Sequence, residues 1–102
     1  MPDIPRLNGV IKALEQGQTA FVAFTPVDIE SAVAMASSKL DGVAFEMEHA
    51  PLDFPGLRQA LQFMLDRRQI VERATLAPTV TPMVRGPPNG GEKNQWIPKE
   101  DL

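Results

Sequence analysis

Three short apolar runs of the kind that form β-strands alternate with helical segments along this chain. The runs span Thr19–Phe24, Gly42–Phe45 and Thr79–Val84. The first run has no polar alternation, which is typical of a strand covered on both faces. Because helices lie between the runs, consecutive strands must be parallel to each other. The sequence therefore predicts an α/β fold that contains a β-α-β-α-β unit.

Helical periodicity marks the segments on either side of the first run. Leu7–Gln16 carries apolar residues at helical spacing, and Gly17 follows where a glycine commonly ends a helix. The next helix is expected to begin with Thr25 as its N-cap and Pro26 in its first turn. The residues expected to form its buried stripe are Ile29, Ala32, Val33 and Ala36.

A third helix is expected to begin at Asp53 and Pro55. The residues expected to face inward from it are Leu57, Leu61, Met64 and Leu65. A polar stretch, Glu72–Thr75, then leads to the third strand. Pro82 weakens the strand pattern there, because proline has no N–H group to donate to a neighbouring strand.

The number of strands is small for a parallel sheet. A (β/α)8 barrel takes about 250 residues, and a doubly wound sheet usually has five or six strands. The chain has 102 residues, so we expect the three strands to form only part of a parallel α/β fold, and the strand count alone leaves a barrel and a doubly wound sheet open. Residues 1–102 form one partial domain in this interpretation, with residues 86–102 as a loop followed by a tail.

Composition and charge exclude several classes of protein. The net charge of −3 argues against a nucleic-acid partner, and no apolar stretch approaches the roughly 18 residues of a membrane helix. With no cysteine and one histidine, a transition-metal site is unfavourable. The lack of cysteine also fits a cytoplasmic protein.

Polar side chains follow two neighbouring strands at the edge where parallel α/β folds carry their sites. Glu46, Glu48 and His49 follow the second strand, and Arg85 ends the third. Together they could hold an anionic substrate and move a proton. The residues alone leave a structural interpretation open. In it His49 is a loop residue or forms a hydrogen bond at a helix entry, Glu46 ends a strand beside the solvated Glu48, and Arg85 pairs with a carboxylate on the surface.

Two segments carry a resemblance to a known family. Asp41–Pro51, with the sequence DGVAFEMEHAP, and Thr81–Arg85, with the sequence TPMVR, resemble the HpcH/HpaI aldolase and citrate-lyase-like family. Pro87–Gly91 and Asn94–Ile97 resemble one branch of it. The resemblance covers roughly residues 7–97, and from Pro98 onward the chain departs from the family's pattern.

The resemblance implies that the chain is the N-terminal β-α-β-α-β portion of a (β/α)8 TIM barrel, incomplete in this chain. The whole barrel, usually hexameric in the family, makes or breaks carbon–carbon bonds through a pyruvate enolate. His49 then takes the place of the catalytic acid and base, and Arg85 that of the arginine that binds pyruvate and stabilises the enolate. Glu46 falls at a substrate-binding position where many members carry aspartate. Glu48 takes the place of a carboxylate close to a metal-bound water.

A divalent cation, Mg²⁺ or Mn²⁺, is implied by the same resemblance. The family's direct metal ligands come from later strands, so none is assigned in this sequence. The resemblance thus predicts a carbon–carbon lyase, a metal-dependent aldolase for 4-hydroxy-2-oxo acids, with impaired turnover in the 102-residue chain. The small 2-oxo acid is its expected partner, together with further copies of the chain in a homo-oligomer. The alternative is a non-catalytic partial barrel that assembles with itself or with another chain.

Overall fold

The computed structural model describes residues 6–86, which form a mixed α/β unit. Its elements in chain order are α1 Gly9–Glu15, β1 Val22–Thr25, α2 Ile29–Ala36, β2 Gly42–Glu46, α3 Phe54–Gln62, α4 Arg67–Arg73 and β3 Thr81–Arg85. The loop and tail expected after the third strand lie, from residue 87 onward, outside the described residues. Within residues 6–86, no helix has the length and apolar character needed to cross a membrane.

The three strands form one parallel sheet in the order β1-β2-β3. Phe24 lies beside Ala44, which in turn lies beside Met83, so these residues share one face of the sheet. Pro82 belongs to β3, which pairs with β2 alone in this part of the chain. The predicted parallel direction of the three strands is confirmed.

Helices α2 and α3 cover one face of the sheet and form the core. Val43 and Phe45 point into this core and are fully buried. They pack with buried residues from the two helices and the adjoining loops, which are Ala32, Ala60, Met64 and Val80. We call this side of the sheet the covered face.

The other side, which carries Phe24, Ala44 and Met83, is the open face. Helix α1 closes only its amino end, where the Gly9 amide donates to Thr81 Oγ1 at 2.8 Å. Gly42 permits this approach, because a Cβ there would lie 2.7 Å from Val10 Cγ2. Towards the carboxyl end the open face is accessible, and Phe24 is 56% exposed.

Two expectations about the second helix are wrong. Thr25 is the last residue of β1, and the N-cap of α2 is Asp28, whose carboxylate accepts the Ser31 amide at 2.7 Å. A carboxylate at Asp28 thus satisfies the first-turn amide group that the Thr25 hydroxyl was expected to satisfy. In the expected stripe Ala32 is fully buried, but Ile29 and Val33 are exposed.

The third predicted helix is two helices in the structure. Helix α3 ends at Gln62, and Asp66, whose carboxylate accepts the Arg68 amide at 2.8 Å, is the N-cap of α4. Met64 is buried as expected, whereas Leu61 and Leu65 are exposed. Helix α4 continues through Glu72 to Arg73, where a polar stretch without helix was expected.

Candidate functional site

Glu46 and Arg85 lie side by side at the carboxyl edge of the sheet. They are the last residues of β2 and β3 and are direct partners in the strand register. Their side chains share the open face, since each follows Ala44 or Met83 by two residues. The expected meeting of these two residues at one edge is present in the structure.

The Glu46 carboxylate and the Arg85 guanidinium form an ion pair through Oε2 and Nη2. This hydrogen bond, opposed by partial burial, lowers the pKa of Glu46 to about 2. The Glu46 side chain is only 16% exposed and that of Arg85 is 37% exposed. Glu46 is therefore an anion at any physiological pH, and it holds the guanidinium at the sheet edge.

The second carboxylate oxygen of Glu46 organises the turn that follows β2. Oε1 accepts the amides of Glu48 at 2.6 Å and of His49 at 3.3 Å. The Met47 amide also donates to the Arg85 carbonyl, at 2.9 Å, so the chain after β2 stays attached to β3. One carboxylate therefore links the Arg85 side chain to the backbone that carries His49.

The His49 imidazole lies next to Glu48, with 2.7 Å between His49 Nε2 and Glu48 Oε1. Glu48 is 19% exposed, whereas His49 is 60% exposed and faces solvent. If Nε2 donates to the carboxylate, the other nitrogen, Nδ1, is the free acceptor of the neutral ring. None of the contacts described joins this imidazole to Arg85 directly.

Phe24 is a site residue that the sequence did not suggest. The Arg85 guanidinium carbon lies 4.0 Å from the centroid of its ring, which is a cation–π contact. The signal that could have found it is strand register, since Phe24 on β1 and Arg85 on β3 lie on the same face of the sheet, on either side of β2. Phe24 and Glu46 together fix the plane of the guanidinium.

Arg85 retains donor capacity in this arrangement. Its Nε is buried and has no hydrogen-bond partner among the described residues. A guanidinium has five N–H donors in a planar fork that matches the geometry of a carboxylate. The edge can therefore bind a small organic anion over the open face, provided that the anion shares Arg85 with Glu46.

The described residues do not fit a direct metal site. No group of three or more histidine, cysteine, aspartate or glutamate residues that could hold an ion occurs within residues 6–86. Both oxygens of Glu46 already accept hydrogen bonds, and Glu48 Oε1 contacts His49. We therefore derive no chemical step through a metal ion.

The chain was compared with protein-family models, curated proteins and solved structures, and none matches it.

The ion pair predicts a specific response to acid. Because the pKa of Glu46 is about 2 in the folded chain, below the usual value of about 4.3, its stabilising effect is complete above pH 4.3 and declines as the pH falls towards 2. We expect the urea concentration at the midpoint of unfolding to decrease as the pH is lowered through this window. The decrease should be smaller in Glu46→Gln than in the original chain. Urea unfolding followed by circular dichroism at several pH values measures this.

Glu30→Gln is the matched control, because Glu30 lies exposed in the first turn of α2 and away from Arg85. This variant should show the same acid response as the original chain. An identical pH profile for Glu46→Gln and the original chain would mean that the ion pair does not stabilise the fold.

Proposed function

We propose that this chain is part of a (β/α)8-barrel aldolase of the HpcH/HpaI type, acting on small 2-oxo acids through a pyruvate enolate. The observation that carries the proposal is the Glu46–Arg85 pair, in register at the carboxyl edge, with His49 held by the same Glu46 carboxylate. The three-stranded parallel sheet and the capped amino end of its open face are compatible with the first part of such a barrel.

In this proposal Arg85 binds the substrate. Its guanidinium pairs with the carboxylate and the 2-oxo oxygen, and it stabilises the negative charge that the oxo oxygen gains in the enolate. Glu46 and Phe24 position the guanidinium before substrate arrives. This preorganisation lowers the cost of orienting a long side chain in the transition state.

His49 moves the proton. With Nε2 oriented by Glu48, Nδ1 takes the proton from the C4 hydroxyl group of a 4-hydroxy-2-oxo acid. The C3–C4 bond breaks, its electron pair forms the enolate, and C4 leaves as an aldehyde. The protonated imidazole then returns the proton to C3 of the enolate, which yields pyruvate.

Binding of pyruvate tests the proposal without requiring turnover. We expect sodium pyruvate, at concentrations on the order of millimolar, to give saturable shifts of the Glu48, His49 and Arg85 amide signals in NMR spectra of the 15N-labelled 102-residue chain. Acetone is the control ligand, because it keeps the carbonyl group and lacks the carboxylate. The proposal fails if pyruvate does not shift these signals, or if acetone shifts them equally.

A second candidate is a non-catalytic unit that assembles with further copies of the chain. The observation that favours it is the exposed apolar surface of β1, where Val22 is 43% and Phe24 is 56% exposed next to a strand edge that has no partner strand within residues 6–86. Light scattering coupled to size-exclusion chromatography should then give a mass of at least twice 11.2 kDa. A monomer at all concentrations would contradict this candidate.

A further inference from the structure

A cavity lined by basic and hydroxyl side chains lies at the opposite end of the strands from Glu46 and Arg85. It has a volume of about 540 Å³, and its lining includes Arg6, Gly9, Lys12, Arg73, Thr75 and Thr79. Thr79 precedes β3, and Gly9 is bonded to Thr81 at the start of that strand. With a rise of about 3.3 Å per residue, β3 alone separates this cavity from the Arg85 edge by about 13 Å.

Three cations line this cavity in a chain whose net charge is −3. Arg6 is neutralised by Glu15, to which Nε and Nη2 donate at 2.7 and 3.1 Å. Lys12 and Arg73 have no carboxylate partner within residues 6–86. The cavity wall therefore carries about two uncompensated positive charges.

Arg73 and two threonines supply hydrogen-bond donors. Arg73 Nη1 donates to the Ala77 carbonyl at 3.0 Å and to Thr79 Oγ1 at 3.1 Å, which folds the loop after α4 around the guanidinium. Its Nε and Nη2 have no partner within residues 6–86. Thr75 Oγ1 accepts the Ala77 amide at 3.1 Å, so the hydroxyl protons of Thr75 and Thr79 remain available to a ligand.

An apolar cavity of about 470 Å³ adjoins the basic one and shares Leu7 and Thr75 with it. Its other lining residues are Ile70, Ala74 and Leu76. Leu76 is 63% exposed and Leu7 is 46% exposed, so both present apolar surface to a ligand. The two cavities together match a molecule with an anionic group at one end and an apolar group at the other.

We propose that these adjoining cavities bind a phosphate monoester, with the phosphate among Lys12, Arg73 and Thr75 and the apolar group against Leu76. A phosphate dianion matches the two uncompensated charges, whereas a monocarboxylate leaves one cation unpaired. The phosphate group also has several acceptor oxygens, which match the remaining donors of the Arg73 guanidinium, the Lys12 ammonium group and the threonine hydroxyls. This site does not depend on the aldolase proposal.

Isothermal titration calorimetry of the 102-residue chain at pH 8 tests the site with hexyl phosphate, inorganic phosphate and 1-hexanol. We expect hexyl phosphate to bind roughly 10-fold more tightly than inorganic phosphate, because its alkyl group buries apolar surface. The alcohol should show no saturable binding. Equal affinity for the two phosphates overturns the apolar half of the proposal, and no phosphate binding overturns all of it.

Lys12→Gln and Lys39→Gln form a matched pair, since both lysines are exposed and only Lys12 lines the cavity. We expect Lys12→Gln to weaken the binding of hexyl phosphate and of inorganic phosphate about 10-fold. Lys39→Gln should leave the affinity for both unchanged. Leu76→Ser should weaken the binding of hexyl phosphate and leave the binding of inorganic phosphate unchanged. Equal losses of phosphate affinity in the two lysine variants would contradict a site at this end. So would amide NMR shifts, on addition of hexyl phosphate, at His49 and Arg85 instead of at Lys12 and Arg73.

Discussion

Replacing Arg85 with glutamine is expected to weaken pyruvate binding by about 100-fold or more, beyond what a titration can detect. Glutamine removes the positive charge and the planar fork of donors, and both are needed to pair with a carboxylate. It also leaves the Glu46 carboxylate without the cation that holds it. That carboxylate would then repel the anionic substrate at the same edge.

Arg85→Lys separates charge from geometry. The ammonium group keeps the charge but not the two parallel N–H donors, and its contact with the Phe24 ring is less favourable. We expect roughly 10-fold weaker binding than in the original chain. NMR titration of the same amide signals measures the whole series.

The control for this series is Arg58→Gln. Arg58 is an exposed arginine on α3, outside the carboxyl edge, so its loss changes the net charge equally and should leave pyruvate binding unchanged. The double variant Glu46→Gln/Arg85→Gln removes both charges of the ion pair. It therefore tests the loss of the guanidinium without repulsion from an unpaired Glu46 carboxylate. Pyruvate binding that survives in either Arg85→Gln chain would place the 2-oxo acid elsewhere.

The site residues differ in how far the sequence could predict them. Glu46 and Arg85 were predictable as neighbours because parallel strands bring their carboxyl ends to one edge, and each residue ends a recognisable strand. Their direct ion pair depends on register, which apolar runs without polar alternation do not specify. Phe24 was missed for the same reason, because its face follows only from that register.

The helices show where local signals compete. Thr25 and Asp28 can both cap a helix, and the strand extends through Thr25 because that residue pairs with Phe45 in the sheet. The cap of α4 is a local signal as well, since the Asp66 carboxylate accepts the amide of Arg68, two residues on, although the apolar periodicity continues to Leu65. The pairing of Thr25 is a tertiary contact, which a short sequence window does not contain.

Phe45→Ala is expected to have the largest effect on stability. Phe45 is fully buried on the covered face, where it packs with Ala60 and Met64. Truncating a buried phenylalanine costs about 3–5 kcal/mol, from lost burial and the cavity left behind. Domains of this size have total free energies of unfolding of about 5–15 kcal/mol, so this variant should lose much of its structure.

Urea unfolding followed by circular dichroism measures this loss. Phe45→Leu keeps most of the volume and should cost less than about 1.5 kcal/mol, which gives a folded variant if the alanine chain does not fold. Phe21→Ala is the matched control, because Phe21 is 62% exposed and its truncation should change the free energy of unfolding by about 0.5 kcal/mol or less.

The same variants connect the core to the site. Phe45 lies beside Val84 in the register, and the next residues along the two strands are Glu46 and Arg85. Since the side chains of Phe45 and Glu46 project from opposite faces, Phe45 contributes to the site through the position of β2. Phe45→Leu should therefore weaken pyruvate binding far less than Arg85→Gln does. A loss of binding in Phe45→Leu that equals the loss in Arg85→Gln would show that strand position, and not the guanidinium, determines affinity at this edge.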